Sequence, residues 1–257
     1  MRKGKKSPDE MTFLEHLEDL RKRIFYSFLA IVIAVIPAWF FSKEIYNILA
    51  RPVTQYLPAD TKLVFTHLTA PFMLYIKVSF LAAILLTSPF IFLQLWFFVA
   101  PGLYKKEKKY VYPFVIFTTF FFLLGAAFGY FVAFPFACNF FLKMGSEFQP
   151  MITIDQYFSL ALRLLIGIAL VFEMPTLIFF LSRMGLVTSR WMVKNFKYAV
   201  LVVFIIAAII TPSPDIINQS ILAVPMLALY GISILIAFVF GEKRGKEKTE
   251  SEEDLAG

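Results

Sequence analysis

Few residues in this chain could do chemistry, and the most conspicuous is an acid. Glu173 sits inside an apolar run, between Phe172 and the pair Met174-Pro175. A charge at the centre of a bilayer costs roughly 2.5–3.5 kcal/mol on insertion scales, so this carboxyl must face protein or water or carry its proton. It would serve polar recognition or proton transfer, or else cap a backbone group freed by the nearby proline. Arg163 lies ten residues earlier, roughly 15 Å along a helix, and is not its direct partner within that helix. Lys77 and Arg163 lie near the ends of apolar runs, where long cationic side chains snorkel to the interface. Other acids stand among cations: Glu15, Glu18 and Asp19 beside Arg21-Lys22-Arg23, and Glu107 within Lys105-Lys106-Glu107-Lys108-Lys109. Such acids either neutralise their neighbours or receive a basic ligand, since a guanidinium pairs bidentately with a carboxylate. His16 and His67 are the only histidines and both lie outside the apolar runs, which argues against bis-histidine haem. Cys138 is the sole cysteine, so neither an internal disulfide nor a cysteine metal cluster is available. There is no HExxH, glycine-rich phosphate loop or G-x-S-x-G; an enzyme, a resident metal and a cofactor are not expected.

The elements that must position these residues follow from composition. Of 257 residues, 59% are hydrophobic, 18% aromatic and only 17% charged, with a net charge of +7. That much apolar surface exceeds what one soluble core of this size can hide, which leaves an integral membrane protein. Six uncharged or nearly uncharged runs, 24–41, 78–99, 111–136, 157–181, 198–210 and 216–240, approach the ~20 residues of a spanning helix. The fifth is short unless 191–197 belongs to it. The runs are continuous rather than alternating, which disfavours a β-barrel, and the first is too long for a cleavable secretory signal. Segment 1–23 holds seven of the 25 Lys and Arg residues; loops 101–110 and 182–197 and the tail 241–257 hold four each; the alternate loops hold three, one and none. The positive-inside rule therefore places both termini in the cytoplasm, consistent with an even number of spans. The expected architecture is one polytopic all-α membrane domain over 1–257, without an internal repeat, ending in a disordered cytoplasmic tail, 241–257.

Local signals add detail. Ser7-Pro8-Asp9-Glu10 combines a cap, a proline for the first helical position and a capping-box acid, and Phe13, Leu14, Leu17, Leu20 and Ile24 recur at helical spacing. Residues 1–23 thus predict a short amphipathic helix on the cytoplasmic surface feeding the first span. A second short amphipathic helix is expected over 43–50, ended by Arg51-Pro52, with Pro58 and the run 63–66 returning extended toward the second span. Pro37, Pro89, Pro113, Pro135, Pro175 and Pro225 fall within the apolar runs, each inviting a bend. Six bent spans predict a concave wall, and Gly125-x-x-x-Gly129 permits close helix contact.

Several segments resemble, in order, those of the TatC family of twin-arginine translocase proteins. His16-Leu17-Glu18-Asp19-Leu20-Arg21-Lys22-Arg23 is similar to its H-L-x-E-L-R-x-R entry to the first span. The resemblance continues through Ala70-Pro71-Phe72, 94–104, the 105–109 loop, Phe172-Glu173-Met174-Pro175, and Thr211-Pro212-Ser213-Pro214-Asp215 with Gln219. It implies a receptor for the paired-arginine signal peptides of folded cargo, exported by proton-motive force across a prokaryotic cytoplasmic (inner) membrane. By the same resemblance the arginines meet Asp19, with Glu18 beside it, and Glu107, at a surface shared with Phe98 and Leu103. The family's N-terminal acid is usually Glu, whereas position 19 is Asp, and Ser213 is additional to its usual T-P-P-D pattern. The embedded acid corresponds to Glu173, and the outer-loop functional positions to Pro52, Asp215 and Gln219. Implied partners are single-span translocase subunits (TatA/TatB-like) in an oligomeric complex, and the lipid bilayer, with no nucleic acid. A short fifth span thins the adjacent bilayer. The competing reading is a secondary transporter of a small solute using Glu173 and Arg163, which predicts a polar midplane cavity and usually a repeated half.

Overall fold

The computed structural model describes residues 13–55, 63–99, 111–211 and 215–241. They form helices α1 (Phe13–Phe40), α2 (Ser42–Thr54), α3 (Ala70–Val99), α4 (Val111–Phe128), α5 (Phe134–Met144), α6 (Ile154–Val171), α7 (Met174–Arg183), α8 (Ser189–Lys194), α9 (Phe196–Ile210) and α10 (Ile216–Phe240), with a π-helical turn at Gly129–Ala133 between α4 and α5. Among the described residues there is no strand, only a parallel bridge between Val64 and Thr153. Five segments are long and apolar enough to cross a membrane: His16–Phe40, Ala70–Phe98, Tyr112–Met144, Ile154–Arg183 and Ile216–Phe240. The remaining expected run, the fifth, is α9, whose 15 residues extend about 22 Å against a hydrocarbon core of about 30 Å. Of residues 191–197, only Phe196 and Lys197 lengthen it. Thr188 caps α8 through the Trp191 amide, 3.3 Å away, and Asn195 Nδ2 donates to the Trp191 carbonyl at 2.9 Å, so α8 closes before α9 begins.

Three further boundaries differ from expectation. From Phe13 onward the amphipathic segment and the first span are one helix, α1, because no glycine or proline interrupts 13–36. The third segment runs on past Phe136 to Met144; the π turn precedes Pro135, which then occupies the first turn of α5, where a missing N–H is harmless. The fourth is divided at Phe172-Glu173, with Pro175 in the first turn of α7. Outward faces remain strongly apolar, as at Ile33, Phe40, Phe131 and Phe238, a surface suited to lipid and not to water. The capping signal at Ser7, Pro58, residues 101–110, Pro212–Pro214 and the tail from 242 lie outside the described residues.

The described residues belong to two compact units, Met1–Ile166 and Gly167–Gly257. In the first, Trp96, Phe134, Phe158 and Val78 are almost fully buried, and ring contacts join elements: Trp96 to Phe114 at 4.8 Å and Tyr46 to Phe158 at 5.2 Å. Pro52 does not end the second helix. It stands inside α2, and the Ile48 carbonyl that its absent N–H would have engaged accepts instead from the Tyr130 hydroxyl at 2.8 Å. Tyr157 donates to the adjacent Leu49 carbonyl at 2.9 Å. Pro89 is handled similarly: the Leu85 carbonyl four residues earlier accepts from Ser88 Oγ at 2.8 Å. The extended run is secured by Val64 N–H to the Ile152 carbonyl and Ile154 N–H to the Val64 carbonyl, at 3.0 and 2.8 Å. On α3, Lys77 binds Asp155 at 2.6 Å and Ser159 at 3.3 Å.

In the second unit, Met192, Tyr230 and Ala237 form a buried cluster with Met174, Ile178 and Ile234 packed against it, and the Tyr230 hydroxyl donates to the Met192 carbonyl at 3.0 Å. Helix α7 ends in a Schellman arrangement: Gly185, at φ 72°, donates to the Ser182 carbonyl and Leu186 to that of Leu181, at 3.1 and 2.9 Å, a turn that favours glycine. The proline notch in α2 yields a direct expectation. Tyr157→Phe removes a buried donor and costs about 1 kcal/mol, with Tyr130→Phe costing no more than that. Thermal unfolding in detergent should show both variants melting below the parent, and Tyr157→Phe melting lower.

Candidate functional site

The described residues concentrate polar and aromatic groups where the start of α1 meets the end of α3. Asp19 and Arg23 are one helical turn apart and so share a face of α1. Arg23 Nε lies 3.2 Å from an Asp19 carboxylate oxygen, and Nη1 donates to Gln94 Oε1 on α3 at 3.3 Å. The guanidinium carbon stands 5.1 Å from the centre of the Phe97 ring, within cation–π range. Next to it, His16 stacks on Phe98 with ring centres 4.4 Å apart and planes 16° from parallel. Gln94 is buried; the Asp19 and Arg23 side chains are 20% and 28% exposed. A second acid faces outward: Glu18 pairs with Lys22 at 2.8 Å, both largely exposed, beside a shallow depression of about 600 Å³ lined by Arg21, Lys22, Phe25 and Phe28. A carboxylate, an amide oxygen and an aromatic face converging on one planar cation is the arrangement a guanidinium requires.

Of the residues singled out in the sequence, Asp19 and Phe98 thus stand in or beside the cluster and Glu18 faces outward next to it, while Leu103 and Glu107 lie outside the described residues. Glu173 sits at the break between α6 and α7. Its side chain does not cap the amides of α7, and its Oε1 is buried without a hydrogen-bond partner among the described residues. Arg163 lies on α6 and is exposed. Pro52 is inside α2, not in a loop. Asp215 is the N-cap of α10, accepting from the Asn218 amide at 2.7 Å and from Asn218 Nδ2 at 3.0 Å. Gln219 lies in the first turn of α10 and donates to the Phe204 carbonyl of α9 at 2.6 Å. Sequence reasoning missed Arg23, Gln94 and Phe97 as parts of the cluster, His16 as a stacking partner, and the Lys77–Asp155 pair. The four-residue step from Asp19 to Arg23 was available as a signal; the contacts to α3 join residues 71 positions apart and leave none.

A multi-pass helical chain with this cluster at one end of its first two long helices belongs among polytopic membrane proteins. Comparison with known proteins narrows the class. A family described as Sec-independent protein translocase protein (TatC) matches residues 15–225. The chain is 44% identical over 250 residues to the Sec-independent protein translocase protein TatC of Koribacter versatilis, covering 96% of this chain and 92% of that protein. It is 41% identical to that of Desulforapulum autotrophicum, covering 98% and 92%. A crystal structure of the twin arginine translocase receptor TatC superposes with a TM-score of 0.75 at 34% identity, covering 87% of this chain and 98% of the other; a second, in DDM, gives 0.78. The chain belongs to the TatC family. It is a component of a Sec-independent protein translocase, a transport protein of the bacterial inner membrane, and the reading as a small-solute transporter is set aside.

The Asp215 cap offers a measurable consequence. Asp215→Ala should lower stability by about 1 kcal/mol, and Asp215→Asn should restore most of it, because an asparagine oxygen still accepts from the Asn218 amide. Thermal melts of the two variants in detergent, compared with the parent, check this.

Proposed function

We propose that this chain is the receptor component of the translocase, binding paired-arginine signal peptides on folded cargo destined for export driven by the proton-motive force. The observation that supports this best is the α1–α3 cluster, where Asp19 already holds a guanidinium over an aromatic ring. In this reading one ligand arginine engages Asp19, with Glu18 at its edge, and the other engages Glu107. Phe98 and Leu103 contact the residues around the pair, and the apolar part of the signal lies along the lipid-facing helices. A guanidinium gains charge-assisted bonds at such a site that an ammonium cannot reproduce in full.

The same reading has six spans with both termini cytoplasmic, as the distribution of Lys and Arg indicates, and single-span partner subunits that assemble with this one. Glu173 is then the polar point within the apolar core used when the partners or the signal engage. Pro52, Asp215 and Gln219 contribute through the helices they secure: Pro52 by leaving the Ile48 carbonyl to Tyr130, Asp215 by capping α10, Gln219 by tying α10 to α9. The short α9 thins the bilayer beside it.

A photoreactive side chain introduced at Phe98 tests the receptor role and the orientation together. In inverted vesicles it should crosslink an Arg-Arg signal peptide far more than a Lys-Lys one, and Glu107→Lys should abolish the product. Right-side-out vesicles should give none. Equal crosslinking of both peptides, or undiminished crosslinking in a properly inserted Glu107→Lys variant, would overturn the assignment.

A further inference from the structure

We propose that Arg23 is an internal occupant of a guanidinium site formed by Asp19, Gln94 and Phe97, and that a ligand arginine binds by taking its place. This rests on the receptor reading above and specifies how its site is regulated. Each wall of the site answers one feature of a guanidinium. The Asp19 carboxylate, 3.2 Å from Nε, supplies charge; Gln94 Oε1, 3.3 Å from Nη1, accepts from a second edge; and Phe97, 5.1 Å from the guanidinium carbon, lies under the flat face. An ammonium can satisfy the charge but not the edge and the face at once. Gln94 is buried in the last turns of a strongly apolar helix, where an amide without a partner is costly. Arg23 is the partner it has.

The occupant is also positioned to leave. Asp19 and Arg23 retain 20% and 28% exposure, so the Arg23 side chain can swing toward water while Asp19, Gln94 and Phe97 remain on their helices. Lys22, held by the outward-facing Glu18 at 2.8 Å, occupies no comparable site, since both members of that pair are largely exposed. The apparent dissociation constant of a ligand rises as the fraction of vacant site falls. An occupant filling the site about nine-tenths of the time therefore weakens binding about tenfold. It weakens every ligand of that site by the same factor, so Arg23 sets the threshold for binding, and the walls set the preference for arginine over lysine.

The test uses the full chain in lipid nanodiscs and two fluorescent synthetic peptides, carrying Arg-Arg or Lys-Lys ahead of an apolar stretch of about 12 residues. Arg23→Gln should tighten binding of both peptides about tenfold and leave their ratio unchanged. Arg23→Lys, which keeps the charge and so controls for bulk repulsion and insertion, should tighten both by a smaller factor. Arg21→Gln removes the same charge two residues away and should change either affinity by less than twofold. Gln94→Leu should shrink the preference for Arg-Arg several-fold. The inference is overturned if neither Arg23 variant binds more tightly than the parent, or if Arg23→Gln does no more than Arg21→Gln; the receptor reading survives either result. A parent chain that binds the two peptides equally overturns both.

Discussion

Hydrocarbon offers a freed carbonyl or an unpaired charge nothing to bond, and this chain places prolines and charges where that matters. Its architecture depends on internal partners. Pro52 denies the Ile48 carbonyl its helical donor, and Tyr130 supplies one from the π turn, itself a local widening that precedes Pro135. Pro89 leaves the Leu85 carbonyl to Ser88. The buried amide of Gln94 is met by Arg23, and the amide at the start of α10 by Asp215. In each case a polar group fixes the position of one helix end or bend relative to a neighbouring turn or element. The apolar side chains could satisfy their own preference in many arrangements; these bonds select among them.

The same requirement links stability to function. Asp19 within a half-buried, partly aromatic setting is costly unless paired, and Arg23 pairs with it at 3.2 Å. A site held closed by its own cation is stable when empty of ligand and is shaped in advance for the cation it receives. Glu173 is the exception, an acid at a helix break with one oxygen unmatched among the described residues. It stands at the N-cap position of α7 without a side-chain bond to the helix amides, which distinguishes it from the polar residues that serve the fold.

Much of the fold was legible in the sequence because spanning helices are written in long uninterrupted runs. The apolar runs located the spans, and the short fifth run emerged as α9. Boundaries were harder, since they depend on how prolines are accommodated. Pro52 reads as a helix end from its local effect on the preceding residue, but Tyr130, 82 residues away from Ile48, keeps its turn in the helix. The acids of the cluster stood out against the basic flank, whereas Gln94 and Phe97 look like ordinary members of an apolar helix until α1 lies beside α3. His16 gave no signal of its stacking on Phe98 for the same reason. Local periodicity carries helix identity, and only the tertiary contact carries the site.

A double-mutant cycle addresses the central claim, that Asp19 is the carboxylate which recognises a ligand guanidinium. Asp19→Asn is combined with Arg-to-Gln substitution in the bound signal peptide, which removes the ligand's charge, and the four affinities are measured in nanodiscs. Direct recognition predicts a coupling of roughly 1–3 kcal/mol, with the peptide substitution mattering much less once Asp19 is gone. Additive effects of the two changes would contradict the account.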